Sequence, residues 1–159
     1  MDAIDITVSG GEEAIVKLGV LADSDLTEVA DTLGALGVSQ TQRRIHSEKT
    51  SPSGEAWQKN RAGTSILFRS GALAASMFHT ATSSAAMWGS PLVYAAIHNF
   101  GGTIRPKKGK ALRFPGQAKQ DLLTRTSVTM PKREYLGVSP DNATEMEQTI
   151  AALYLERLS

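Results

Sequence analysis

The run Tyr94-Ala95-Ala96-Ile97-His98-Asn99-Phe100-Gly101-Gly102 constrains the fold of this chain more than any other segment. It gathers three rings, Tyr94, His98 and Phe100, and ends on two glycines. Consecutive glycines admit positive φ and stop regular structure. The run therefore reads as a short buried helix or an extended segment that halts at Gly101-Gly102. Tyr94, Ile97 and Phe100 are expected to anchor it in the core. His98 is expected to be hydrogen-bonded under the glycine pair, because buried polar groups are normally satisfied. The segment before the run is apolar and alternating, and the segment after it is strongly basic. Gly101-Gly102 thus marks a hinge between a core and a charged surface.

That basic surface has an acidic counterpart. Residues 1–31 hold eight acids and one base, Lys17, whereas residues 105–133 hold nine bases and one acid, Asp121. The two blocks balance so closely that the whole chain is only +1. Blocks of opposite sign make a subunit with two poles, which bears on association and steering more than on fold. At 159 residues the chain can bury about two-thirds of its unfolded surface, enough for a single domain over 1–159. Its 41% apolar and 21% charged content argues against both disorder and a membrane class. No apolar run approaches the roughly 20 residues that span a bilayer, and the acidic start Met1-Asp2-Ala3-Ile4-Asp5 does not read as a secretory leader. The absence of cysteine excludes disulfides, thiolate metal sites and a cysteine nucleophile, and fits a reducing compartment.

Periodicity supplies the elements. Ile4, Ile6 and Val8 alternate with polar residues, which predicts a short strand closed by Gly10-Gly11. Glu12 to Leu21 has helical spacing, with acids in its first turn. Ser24 or Asp25 can cap a longer helix carried by Leu26, Val29, Ala30, Leu33, Val38 and Ile45 to about Glu48. Within it, Gly34 and Gly37 mark either a kink or a close contact with a neighbour, since each costs roughly 1 kcal/mol against Ala. A Ser/Pro/Gly loop follows at 50–55, and then Trp57, which is expected to close over the core with Phe68, Leu73, Phe78 and Trp88. Ser70 is placed as the N-cap of a short helix to Met77. Phe78–Thr82 and Ala85–Gly89 form a hairpin turning at Ser83-Ser84, and Pro91 opens the Tyr94 run. Segments 111–114 and 127–130 can be strands around a long exposed loop over about 103–130. A last helix is capped by Ser139 with Pro140 at its first position. Together these predict an α+β fold. A small mixed sheet of short strands packs against a long N-terminal helix and a C-terminal helix, with a long basic loop.

Signatures of chemistry are missing. His46, His79 and His98 show no metal-ligand spacing. There is no Gly-x-Ser-x-Gly elbow. Gly109-Lys110 is not a phosphate loop, because Ile104 stands where the leading glycine belongs and Ala111 where Ser or Thr belongs. Asp121 has no carboxylate partner for two-metal chemistry. No enzyme activity, metal or cofactor is expected, and an enzyme reading survives only if His98 and Asp121 converge in space. The remaining candidate surface is basic: Arg105, Lys107, Lys108, Lys110, Arg113, Lys119 and Arg125. Three readings stay open for it: a solvated loop, a contact with an acidic face of another subunit, or non-specific phosphate contact. The subunit contact is preferred over nucleic acid because the complementary block lies in the same chain.

Several segments together resemble a known family. They are Arg43-Arg44-Ile45, Ser51-Pro52-Ser53-Gly54-Glu55-Ala56-Trp57, Leu67-Phe68-Arg69-Ser70-Gly71-Ala72-Leu73, the Tyr94–Gly102 run, and Pro131-Lys132-Arg133-Glu134-Tyr135-Leu136-Gly137. In this order, over roughly residues 40–158, they resemble the virion-morphogenesis or tail-completion family of Mu-like and related contractile-tailed phages. Ser51 departs from the pattern, where an Asp is expected before the proline. The resemblance implies a small α+β structural protein of the virion neck or tail, assembled in the bacterial host cytoplasm. It implies a homo-oligomeric ring, commonly six-fold, that caps the tail tube or joins it to the head-tail connector. It implies no enzyme and no membrane. A two-poled subunit suits such a head-to-tail ring. The basic loop would then order on a neighbour or line a channel that phage DNA crosses.

Overall fold

The structure, a computed structural model, describes residue 19 and residues 26–60, 63–115 and 122–158. The expected strand at 4–8, the helix at 12–21 and the Ser24/Asp25 cap lie outside the described residues. Helix α1 spans Leu26–Arg43 and runs on into a π-helical turn, Arg44–Glu48. The helical region thus reaches Glu48, but its last turn is wider than an α-helix. Lys49 closes it in the left-handed conformation (φ 57°), its backbone N–H donating to the Arg44 carbonyl at 3.0 Å. Four side chains at this end, Gln40, Thr41, Arg44 and Ile45, are almost fully buried.

Gly34 and Gly37 lie within an unbroken α1. They make room for the hairpin of β1 (Phe78–Thr82) and β2 (Ala85–Gly89), which pairs antiparallel with Thr82 opposite Ala85. A Cβ on Gly34 would lie 2.6 Å from the His79 ring, and one on Gly37 would lie 2.6 Å from Trp88. No side chain fits there, so the helix accepts the propensity cost of glycine to let two rings sit on its backbone. His79 is also held by Asp31, with Nε2 and Oδ1 3.0 Å apart. Strand alternation turns His79 and Trp88 toward α1 and leaves Phe78 outside. Phe78 is therefore exposed instead of joining the core.

The core gathers Ile45, Trp57, Leu73, Ala74, Met77, Ala95 and Tyr135. Trp57 closes it as expected, its indole N–H donating to the Glu134 carbonyl at 3.1 Å. The short helix α2 is only Ala72–Ala75, and Gly71 at φ 76° takes the N-cap position expected of Ser70. Ser70 Oγ still accepts from the Ala72 N–H at 3.4 Å. Helix α3 is Ala95–Phe100, so Pro91 precedes it by a turn and does not begin it. Helix α4 runs Pro140–Leu158, with Ser139 Oγ accepting from the Asn142 N–H at 3.2 Å, as its sequence indicates.

The fold is α+β, with strands paired two by two. Among the described residues there are three antiparallel two-stranded sheets in place of one mixed sheet. The stretch expected as a long loop with strands at 111–114 and 127–130 holds a two-part β arm, in which both of those strands are present and each pairs with one that was not expected. Strand β3 (Gly102–Ile104) pairs with β6 (Val128–Met130), and β4 (Leu112–Pro115) pairs with β5 (Leu122–Arg125). No described helix is long and apolar enough to cross a membrane.

Candidate functional site

The arm and the place where it leaves the core form the candidate site. Its root is fixed by Gly101 and Gly102, with φ of 70° and 138°. A Cβ on Gly101 would sit 2.7 Å from the Lys132 backbone nitrogen, so the position excludes side chains by space as well as by conformation. The helix stops at Phe100, the Gly101 N–H donates to the Ile97 carbonyl at 3.0 Å, and the chain enters β3. The glycine pair thus stands at the junction of an α-helix and the arm.

The anchoring of α3 differs from expectation. Tyr94 and Phe100 are exposed, at 42% and 69%, and Ile97 is half-buried. The buried positions are Ala95 and Asn99, one helical turn apart. A ring at either place would displace the hydrogen bonds made there. Asn99 Oδ1 accepts both the Tyr135 and Leu136 N–H groups at 3.0 Å, and the Tyr135 hydroxyl donates to the Ala95 carbonyl at 2.9 Å. Burial, with the neighbouring Tyr94 second, pushes the Tyr135 phenol up to about 12, so it remains a donor at any working pH.

The same 133–137 segment is gripped from α1. Arg44 is 1% exposed, and its guanidinium donates to Tyr135 O at 3.0 Å, Gly137 O at 2.9 Å and Asn142 Oδ1 at 2.5 Å. Its Nε, sealed from solvent and without a hydrogen bond, faces the Glu48 carboxylate at 3.8 Å. Burial lowers the guanidinium's pKa, but the three acceptors keep it in place. Beside it, Gln40 and Arg43 both donate to Glu145 of α4, at 3.0 and 2.8 Å. Arg43 first and Gln40 second hold the Glu145 carboxyl below its ordinary range. Arg44 and Asn99 were not singled out by apolar periodicity, which passes over polar residues. The usable signal was the Arg43-Arg44 pair at the inner end of an otherwise apolar helical stripe.

Beyond the root, Arg105, Lys107, Lys108, Lys110, Arg113 and Arg125 are all exposed. None of the six has an ion-pair partner among the described residues. Lys119 and Asp121 lie outside the described residues, so the His98–Asp121 convergence has no geometry here. His98 is part-buried and packs edge-on to Tyr94 at 5.8 Å. Its Nδ1 is buried without a hydrogen-bond partner, contrary to the expected satisfied imidazole. Arg133 shares a cavity with the ring. Burial, and then the Arg133 charge, lower its pKa. Among the described residues no three His, Asp or Glu side chains are grouped to hold a metal ion.

A family model described as the phage virion morphogenesis family matches residues 10–155. No curated protein and no solved structure matches.

Proposed function

The chain belongs to the phage virion morphogenesis family, and from that premise we propose that it is a tail-completion ring subunit at the head-tail junction. A role in building the virion is what the family provides. The finer reading is supported by one observation above all: a β arm carrying six exposed cations, none ion-paired among the described residues, is rooted by Gly101-Gly102 in a hydrogen-bonded core. An arm of exposed cations gains order when a neighbour of opposite charge covers it, and such a neighbour is supplied by the acidic first 31 residues of another copy. Head-to-tail repetition of that contact closes a ring, for which six copies is the expected number. The ring would seat on the tail tube and meet the head-tail connector, with the virion neck as its location.

The test is particle morphology. Lysates of a phage or prophage lacking this protein should contain full heads beside separate tails, and complementation should restore joined, infectious particles. Infectious particles with joined tails in its absence would overturn the reading. A second reading, non-specific DNA contact by the arm, is favoured by the same exposed cations. It requires DNA binding that weakens steeply with salt and falls when Lys107, Lys108 and Lys110 are neutralised.

A further inference from the structure

At the root of the arm, between the 64–73 segment and α3, lies a cavity of about 440 Å³. Arg133, His98, Arg69, Phe68, Tyr94 and Met130 stand on its wall. Arg133 is 95% buried by exposure (5% accessible) yet has no carboxylate partner among the described residues. Its Nε donates to the Gln58 carbonyl at 3.0 Å, which orients the guanidinium, and its two terminal nitrogens make no hydrogen bond among the described residues. The His98 Nδ1 beside it is buried and unpartnered as well. Buried charges are normally paired and buried polar atoms normally satisfied. A buried arginine without a carboxylate and a buried imidazole nitrogen without a hydrogen bond, on one cavity wall, describe a site whose partner is not among the described residues. Arg69, exposed near the mouth, adds a second cation without an ion pair among the described residues.

We propose that this cavity is an oxyanion socket that receives an acidic side chain from a second copy of this chain. The ring of Phe68 and the thioether of Met130 suit the aliphatic stem of Asp or Glu, while the Arg133 fork suits its carboxylate. The cavity is recessed and part apolar, which favours a side chain over the phosphate rail of a nucleic acid. The supply is built in, because every further copy brings six acids in its first 25 residues against one base. The inference rests on the assembly role proposed above and names the contact that would lock the arm's root to a neighbour.

Sedimentation velocity of the full chain over a wide concentration range tests it. The wild type should self-associate, and inorganic phosphate should dissociate it more strongly than chloride at equal ionic strength. Arg133→Gln should weaken association at least tenfold. Neutralising Asp2, Asp5, Glu12 and Glu13 to Asn and Gln should do likewise, and combining the two changes should add little. A wild type that stays monomeric throughout, or phosphate no better than chloride, overturns the socket. So does a cooperatively folded Arg133→Gln protein that associates normally, or one that loses only DNA binding. If Arg133→Gln does not fold, the phosphate comparison on the wild type decides. Association that persists through the arm with the socket mutated would sink the socket alone, while particle morphology tests the ring separately.

Discussion

Arg44 and Arg113 carry the same side chain into opposite settings. Arg44 is sealed in the core and holds two carbonyls and an asparagine. Arg113 stands in the open on β4, and no described residue pairs with it. The first is satisfied by its own chain, and removing it orphans groups that cannot reach water. The second is satisfied by solvent, and removing it leaves nothing behind in the single subunit. The difference separates a knot that makes the fold from an arm that is free to serve something outside it. It also explains why the segments carrying the family resemblance lie together. Those containing Arg44, Trp57, Asn99 and Tyr135 meet in one hydrogen-bonded core, where each residue type is dictated by the next.

The comparison breaks first at Arg44. Arg44→Met keeps the volume and removes the fork, leaving Tyr135 O, Gly137 O and Asn142 Oδ1 to find new donors. The expected loss is about 3–5 kcal/mol, read from the midpoint of denaturant unfolding. Arg44→Lys should recover only part of it, since one ammonium cannot reproduce a planar fork. A loss under about 1 kcal/mol would mean that water enters the knot and that the two arginines differ less than their surroundings suggest.

Gly101 lies on the border between the two regions and comes next. Gly101→Val forces a branched residue to φ 70° and drives its Cβ to 2.7 Å from the Lys132 backbone. The conformation alone costs about 1–3 kcal/mol, and the clash adds to it by displacing the arm's root. Assembly should fail before folding does, with a monomer still cooperative in thermal unfolding but absent from particles. Normal assembly by Gly101→Val would show that the arm's direction is not set at this hinge.

This border also shows what could be read in the sequence. The glycine pair, the hairpin turn at Ser83-Ser84, the Ser139-Pro140 start of α4 and the α+β class were all legible, because each follows from local backbone chemistry. The anchors of α3 were not. Rings at Tyr94 and Phe100 look like core residues by type, but the core at that point is filled by Tyr135 from 40 residues further on. Only tertiary contact decides that Asn99 is inside and Phe100 outside. In the arm, the segments 111–114 and 127–130 were legible as strands and appear as β4 and β6, whereas β3 and β5 were not. Runs as short as Gly102–Ile104 and Leu122–Arg125 carry too little alternation to stand out until their partners across the arm are known. Gly34 and Gly37 left two readings open, and only the rings of His79 and Trp88 choose between them.

A smaller effect comes from His98. Burial and Arg133 place its folded pKa below the ordinary value of 6.5. The unfolded chain therefore binds the proton more readily than the native one, and stability is lost as pH falls through about 6.5 toward the folded pKa. His98→Gln removes that titration. Its stability should be flatter than wild type across this window, with little change at pH 8. A wild-type profile no steeper than the variant's would place the imidazole in contact with solvent.

The smallest effect on the fold is expected on the arm itself, and it carries the most meaning. Replacing Lys107, Lys108 and Lys110 with Gln removes three exposed charges without touching a hydrogen bond among the described residues. Unfolding free energy should stay within about 0.5 kcal/mol of wild type, the range of ordinary surface changes. If the arm serves a neighbour or DNA, the same variant should nonetheless lose association or particle joining, most clearly at low salt, where exposed charges act over about 10 Å or more. Full stability with lost assembly is the pattern that a knot-and-arm division requires. Lost stability would mean that the arm's cations are tied into the subunit after all. Unchanged assembly would leave the contact to the arm's backbone and to the cavity at its root, where Arg133 and not the lysines would decide the outcome.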